Sequence, residues 1–250
     1  MIDTHAHLDA LADPPGEALA RARAAGVTRV ITVGAGVESC RRALSICERE
    51  EGVFAALGIH PHQADEADEH DVAELRDLLA HPKAVAVGET GLDHYRDYAP
   101  RDRQRHLFRE HVALATELRK PLIVHTRAAE SETLDVLCAA EDGTGVVLHC
   151  FSSSALLEPA LERGWYVSFA GNVTYPNARE LRRAAARVPA ARILAETDSP
   201  YLAPQPVRGK PNEPAHVVHT VAALADARRE DPRELARGIN DNAAVLFGLS

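Results

Sequence analysis

Short apolar runs alternate with stretches of helical period from one end of the chain to the other. The runs Met1–His7, Val27–Val33, Val53–Ile59, Ala84–Glu89, Pro121–His125, Gly145–His149, Tyr166–Phe169 and Arg192–Glu196 have the length and composition of strands. Between them, Val37, Cys40, Leu44 and Cys47 share one helical face of Val37–Glu50. In Arg103–Leu118, the sets Leu107, His111, Leu114, Leu118 and Phe108, Val112, Ala115 do the same. Asn177 followed by Glu180 reads as a capping box opening another helix. Two more helices are expected near Ala215–Arg228 and Pro232–Phe247. Eight strands alternating with helices predict an α/β fold, a TIM-type (β/α)8 barrel forming a single domain over residues 1–250. A doubly wound open sheet is the alternative. Ser199–Pro214 carries Pro200, Pro204, Pro206, Pro211 and Pro214, too many for a helix or central strand. It is expected to be a long ordered loop after the last strand, and such loops are often functional.

Composition narrows the function classes. With 250 residues, 46% hydrophobic and 26% charged, the chain has the makings of a soluble domain with a sizeable core. No apolar run approaches the roughly 18 residues a membrane span needs. The start MIDTHAHLD lacks the basic-then-apolar order of a signal peptide. Cys40 and Cys47 lie on one helical face and read as packing residues, and Cys138 and Cys150 form no CxxC pair. A reducing cytoplasm is the expected location. The balance of 28 Lys+Arg against 37 Asp+Glu gives a net charge of −9. That excludes a broad basic surface for duplex nucleic acid, while a local anion pocket stays compatible. No segment reads as a dimer zipper, so a monomer is expected.

The chemistry is written at the strand ends. The first strand ends in His5-Ala6-His7, and the third runs into His60-Pro61-His62. The fourth ends in Glu89, the fifth in His125, the sixth in His149 and the eighth in Glu196-Thr197-Asp198. In a parallel barrel these ends share one rim, where active sites form. Residues two apart on a strand share a face, so His5 and His7 reach one point, and Val85, Val87 and Glu89 share a parity. Taken singly, each has a plain structural role: histidines bond backbone in cores, and Asp198 before Ser199-Pro200 is a turn residue. Together, agreement among separate strand ends points to a metal site. Four histidines and two carboxylates exceed what one tetrahedral catalytic ion uses, which suggests two divalent ions with Glu89 between them. Such a pair lowers the pKa of water toward neutrality. The donor set suits zinc or manganese, with magnesium compatible.

The sequence also resembles the TatD family of metal-dependent hydrolases, within the wider amidohydrolase group. The matching segments are DTHAHLD at 3–9, GIHPH at 58–62, VGETGLDHYRD at 87–97, KPLIVHTR at 120–127 and LHCFS at 148–152. They continue through ETDSPYLAP at 196–204, RGKPNEP at 208–214 and LFG at 246–248. The resemblance implies a two-metal barrel, one ion held by His5, His7, Glu89 and Asp198, the second by Glu89, His125 and His149. It further implies a 3′–5′ exonuclease, hydrolysing phosphodiesters of single-stranded DNA or RNA, with Glu89 and Asp198 catalytic and Asp198 taking the proton of the attacking water. His62, Arg127 and Arg208 are the expected contacts to phosphate oxygens, and Lys210 adds charge on the proline-rich loop. Glu196 is expected to orient a histidine ligand, and Asp93 to stabilise the turn after GETGL. Tyr95, Trp165, Tyr175 and Tyr201 are the aromatic residues to consider for base stacking. Ala128, Ser153 and Pro211 depart from the family pattern; they lie around the substrate rim, so they bear on substrate and not on the ligands. Hydrolysis of a small ester, amide or aminoacyl bond by the same site is the alternative function. A metal-stabilised binding protein without turnover would need a missing ligand, and none is missing.

Overall fold

The computed structural model describes residues 1–96, 98–139 and 144–249. Asp97, which ends the VGETGLDHYRD segment, lies outside them. Eight strands form one sheet: β1 (Ile2–Ala6), β2 (Arg29–Ala35), β3 (Val53–Gly58), β4 (Ala84–Asp93), β5 (Leu122–Arg127), β6 (Val146–Leu148), β7 (Tyr166–Phe169) and β8 (Ile193–Ala195). Every strand pairs in parallel with its neighbour in sequence, in the order β1 to β8. The ring closes just beyond β8. Ala6 bridges to Ser199 in parallel, the His7 N–H donates to Ser199 O at 2.7 Å, and the Asp198 N–H donates to His5 O at 2.9 Å. A doubly wound sheet would reverse its strand order part-way, so the barrel reading holds.

Helices α1 (Pro15–Ala24), α2 (Val37–Arg49), α3 (Glu69–Leu79), α4 (Arg101–Leu118), α5 (Glu130–Cys138), α6 (Leu157–Glu162), α7 (Arg179–Arg187), α8 (Val217–Arg228) and α9 (Pro232–Phe247) occupy the connections and the end of the chain. Ile2, Ile31, Leu57, Leu122, Ile123 and Ile193 are among the largest fully buried side chains. Each such burial contributes about 2 kcal/mol. On α2, Cys40, Ala43, Leu44, Ile46 and Cys47 are buried, and the Cys40 thiol donates to Gly58 O. All four cysteines are free, as their spacing implied.

Helix α7 corrects one expectation. Its N-cap is Ala178, with no side-chain cap, so Asn177 falls one position too early to serve. The preceding turn is tied instead by Arg182, which donates to Val173 O (2.9 Å) and Tyr175 O (2.8 Å). A reciprocal capping box does occur, between Asp68 and Asp71 at the start of α3. The proline-rich segment is ordered, as expected, through 3-10 turns at Gln205–Val207 and Pro214–His216. The buried Asn212 amide anchors it by donating to Thr197 O and Tyr201 O.

Candidate metal centre

Three local devices bring the polar strand ends to one point. First, the buried Asp3 carboxylate accepts from the Thr197 N–H (2.8 Å) and the Thr197 hydroxyl (2.6 Å), fastening β1 to the segment after β8. His5 and Asp198 therefore share a corner. Second, β4 carries an extra residue against β5: Val87 pairs with Leu122, but Thr90 pairs with Val124. Bulges of this kind re-aim side chains beside active sites, and this one spans Glu89. Gly88 (φ 129°) and Gly91 (φ 140°) frame it, and any Cβ there would come within 2.5 Å of Ile123 O and 2.0 Å of His125 O. Third, Cys150 and Asp198 hold left-handed backbone, at φ 45° and 54°. Such conformations cost about 1–3 kcal/mol each and gather at functional sites.

Glu89 lies at the centre. Its Oε1 is 2.9 Å from His149 Nε2, 2.8 Å from His125 Nδ1 and 3.4 Å from His60 Nε2. Its Oε2 is 3.3 Å from His5 Nε2 and 3.7 Å from His7 Nε2. Asp198 Oδ1 faces the same two imidazoles, at 3.8 Å from His5 and 3.6 Å from His7. His5 Nε2 and His7 Nε2 are only 3.3 Å apart. All the ion-pair partners of Glu89 and Asp198 among the described residues are histidines.

The hydrogen bonds outside this centre fix which ring nitrogens are free. Glu196 Oε1 accepts from His149 Nδ1 (2.9 Å) and from the Cys150 N–H (2.7 Å), while Glu196 Oε2 accepts from the Ser168 hydroxyl. His149 thus carries its proton on Nδ1 and turns the Nε2 lone pair toward Glu89, lone pair against lone pair. Only a proton or a cation between them relieves that arrangement. His5 and His7 repeat it, since two facing Nε2 atoms share at most one proton. His5 Nδ1 is buried without a partner. His60 differs. Its Nδ1 accepts the His62 N–H at 3.1 Å, so its Nε2 carries the proton and turns it toward Glu89.

The electrostatics follow this wiring. Burial opposes charge on Glu89, yet His149, His60 and His125 hold its carboxyl well below the usual range. Burial likewise opposes charge on His149, which Glu89 and Glu196 nevertheless raise well above an ordinary imidazole. Asp198 is buried too, but His7, His149 and His5 lower it. Burial drives His60 down to about 4, which keeps it a neutral donor. A set of imidazole lone pairs and anionic oxygens converging without Lys or Arg fits a divalent cation. Groupings with cation-binding spacing are His5–His7–Glu89, His60–Glu89–His125 and His5–His149–Glu196.

The structure therefore brings together His5, His7, Glu89, His125, His149 and Asp198. Of the expected substrate contacts, His62 Nε2 bonds Asp93 Oδ2 at 2.8 Å on the edge of this cluster. Asp93 does hold its turn, accepting from the Tyr95 and Arg96 N–H groups at 2.9 Å, and also faces His125 Nε2 at 3.3 Å. Arg127, exposed at the end of β5, lays its guanidinium 3.9 Å over the Tyr95 ring. Arg208 does the same over Tyr175 at 4.3 Å, and Lys210 is exposed on the same loop. Trp165 is buried just before β7, at the opposite end of the strand from the rim. The sequence reading places His60 at a strand end but gives it no role, and does not single out Tyr98, whose ring meets His62 at 4.7 Å. The signal for His60 was its HxH spacing with His62, the same as that of His5 with His7.

The family model described as TatD related DNase matches residues 2–248. An uncharacterized metal-dependent hydrolase TatD of Mycobacterium tuberculosis is 42% identical, over 100% of this chain and 98% of the relative. A protein of Cronobacter sakazakii named 3′-5′ ssDNA/RNA exonuclease TatD is 37% identical, over 92% of this chain and 90% of its own. The crystal structure of YjjV, a TatD homologue from Escherichia coli K12, superposes with a TM-score of 0.93 at 33% identity, covering 100% of this chain and 98% of that one. No helix among the described residues is long and apolar enough to cross a membrane.

Proposed function

The chain belongs to the TatD-related DNase family, and on that premise we propose that it is a metal-dependent phosphodiesterase, a 3′–5′ exonuclease of single-stranded DNA or RNA. The observation that carries this reading is the convergence of five imidazoles on Glu89, two of them shared with Asp198, with no Lys or Arg among the ion-pair partners of either carboxylate. His5, His7, Glu89 and Asp198 would hold one divalent ion, and Glu89, His125 and His149 a second. Zinc, manganese and magnesium all suit the donors. When bound, such ions supply an acidified water and counter-charge for phosphoryl oxygens.

The protein groups do the rest. Glu196 fixes the His149 tautomer and, as an anion, raises the basicity of its Nε2. His60 turns its Nε2–H toward Glu89 Oε1 at 3.4 Å, which favours the ionised carboxylate there. Asp198, kept ionised beside His7 and His5, takes the proton released as water attacks phosphorus. His62, Arg127 at the end of β5 and Arg208 on the proline-rich loop would be the contacts to phosphate oxygens. The relative named an exonuclease supports a nucleic-acid substrate, and the net charge of −9 suits a grip on a few nucleotides and not a long tract.

The test is digestion of 3′-labelled single-stranded DNA by metal-loaded protein, beside Glu89→Ala and His149→Ala. Release of labelled mononucleotide from the first time points by the parent alone supports the reading. Intact oligonucleotide together with hydrolysis of simple esters would transfer the site to small ester, amide or aminoacyl substrates.

A further inference from the structure

Aromatic residues are scarce in this chain, with five Phe, five Tyr and one Trp. The other eight are buried or half-buried, whereas Tyr95, Tyr98 and Tyr201 are 63%, 60% and 57% exposed. They make up three of the four large apolar side chains exposed among the described residues. None is scattered over the outer helices. Each is packed edge-on or face-on against a polar residue of the mouth. Tyr201 meets the His7 ring at 5.8 Å, Tyr98 meets His62 at 4.7 Å, and Tyr95 lies 3.9 Å beneath the Arg127 guanidinium.

Topology sets them on opposite walls. Tyr95 and Tyr98 follow β4, with Arg127 at the end of the adjacent β5, whereas Tyr201 follows β8. In a closed ring of eight strands taken in order, β4 and β8 stand across from each other. Glu89 and its histidines lie between. Exposed aromatic rings on both sides of a polar, cation-seeking centre match a ligand with a flat apolar group on either side of an anionic one. A dinucleotide unit is built that way, its phosphodiester flanked by two bases.

We propose that Tyr201 on one wall, and Tyr95 with its Arg127 cover and Tyr98 on the other, stack the two nucleobases that flank the scissile phosphodiester. The proposal rests on the phosphodiesterase reading above and adds how substrate is held. Base–aromatic stacking is sequence-tolerant, because every base offers a π-face, and needs bases already unstacked, which selects single strands. It also resolves the charge difficulty: a protein of net charge −9 gains little from long-range attraction to a polyanion, so contacts at the mouth must supply the affinity. Arg127 on Tyr95 adds a cation to that wall without removing the ring's exposure.

The experiment pairs side-chain and base deletions. Parent, Tyr95→Ala, Tyr98→Ala, Tyr201→Ala and the matching Phe variants are assayed on a short oligothymidylate. The same set is assayed on oligothymidylates with a tetrahydrofuran abasic residue at the 3′-terminal or penultimate position. Parent kcat/KM is expected to fall roughly tenfold to a hundredfold per missing base. Tyr201→Ala should show that loss on the intact oligonucleotide and then be indifferent to one of the two abasic positions. Tyr95→Ala or Tyr98→Ala should be indifferent to the other, and the Phe variants should behave like parent. All three side chains are surface-exposed, so their truncation leaves the fold intact, which circular dichroism checks. Equal abasic penalties in parent and every Ala variant would overturn the proposal while leaving the phosphodiesterase reading standing. Failure of the parent on all oligonucleotides would remove both.

Discussion

Buried histidines occur in two settings in this barrel, and the contrast separates structure from chemistry. His111 on α4 is fully buried, and both ring nitrogens are matched by backbone. Its Nδ1 donates to Leu107 O at 2.8 Å, and its Nε2 accepts the Ile59 N–H at 3.0 Å. Burial lowers it to about 4, so it is a neutral clip between α4 and the end of β3. At the rim, His5, His7, His125 and His149 face each other and two acids, with more lone pairs than protons. Burial and shifted basicity are common to both settings. What distinguishes the rim is a convergence of more acceptors than the donors around them can satisfy.

Breaking the rim should give the largest effect. Glu89→Ala removes the one carboxylate shared by all the histidines, and its hydrolytic rate under metal saturation should drop by at least about a thousandfold. Loss of less than tenfold would show that the convergence is not the working centre. Glu196→Gln keeps shape and most hydrogen bonds but removes the anion behind His149. Metal titration should show affinity weakened by about 10–100-fold, with a smaller loss of rate at saturating metal.

The core clip should answer in stability and not in chemistry. His111→Gln is expected to cost about 2–3 kcal/mol in denaturant unfolding at pH 7.5 while leaving metal stoichiometry unchanged. The pH dependence has a definite sign. The folded-state value of about 4 lies below the ordinary 6.5, so the unfolded chain binds the extra proton between them. The His111 contribution is full above 6.5 and is lost as pH falls toward 4, at up to about 1.4 kcal/mol per pH unit. The stability gap between parent and His111→Gln should therefore narrow over that window, and a constant gap would contradict the neutral-clip assignment. Smallest of all, Arg237→Ala should shift stability by no more than about 0.5 kcal/mol. Its pair with Glu234 is 3.4 Å long, with both side chains 72% exposed.

The sequence made the rim legible because strand ends in a parallel barrel share one face whatever the loops do. His5, His7, Glu89, His125, His149 and Asp198 fall among the strand-end residues that this rule names, the family resemblance selects them from His60, His62 and Glu196, and the core face of α2 follows from its period. What it did not carry depends on register and backbone angle. The extra residue in β4 interrupts the alternation through Val85, Val87 and Glu89, and no apolar pattern marks a bulge. His60 owes its role to a hydrogen bond from the His62 N–H that fixes its tautomer, a feature of one tight turn. Asn177 had the right chemistry for a cap and missed by a single position, because Arg182 and the Val173–Pro176 carbonyls set where α7 begins. Tyr98 gave no signal at all; only the folding of the segment after β4 places it beside His62.

Elemental analysis of the purified protein, metal-loaded and freed of unbound ions, puts the account at greatest risk. The parent should retain two divalent ions per chain and Glu89→Ala none or one, with His111→Gln matching the parent. Equal retention by parent and Glu89→Ala, or no retention by the parent, would contradict it.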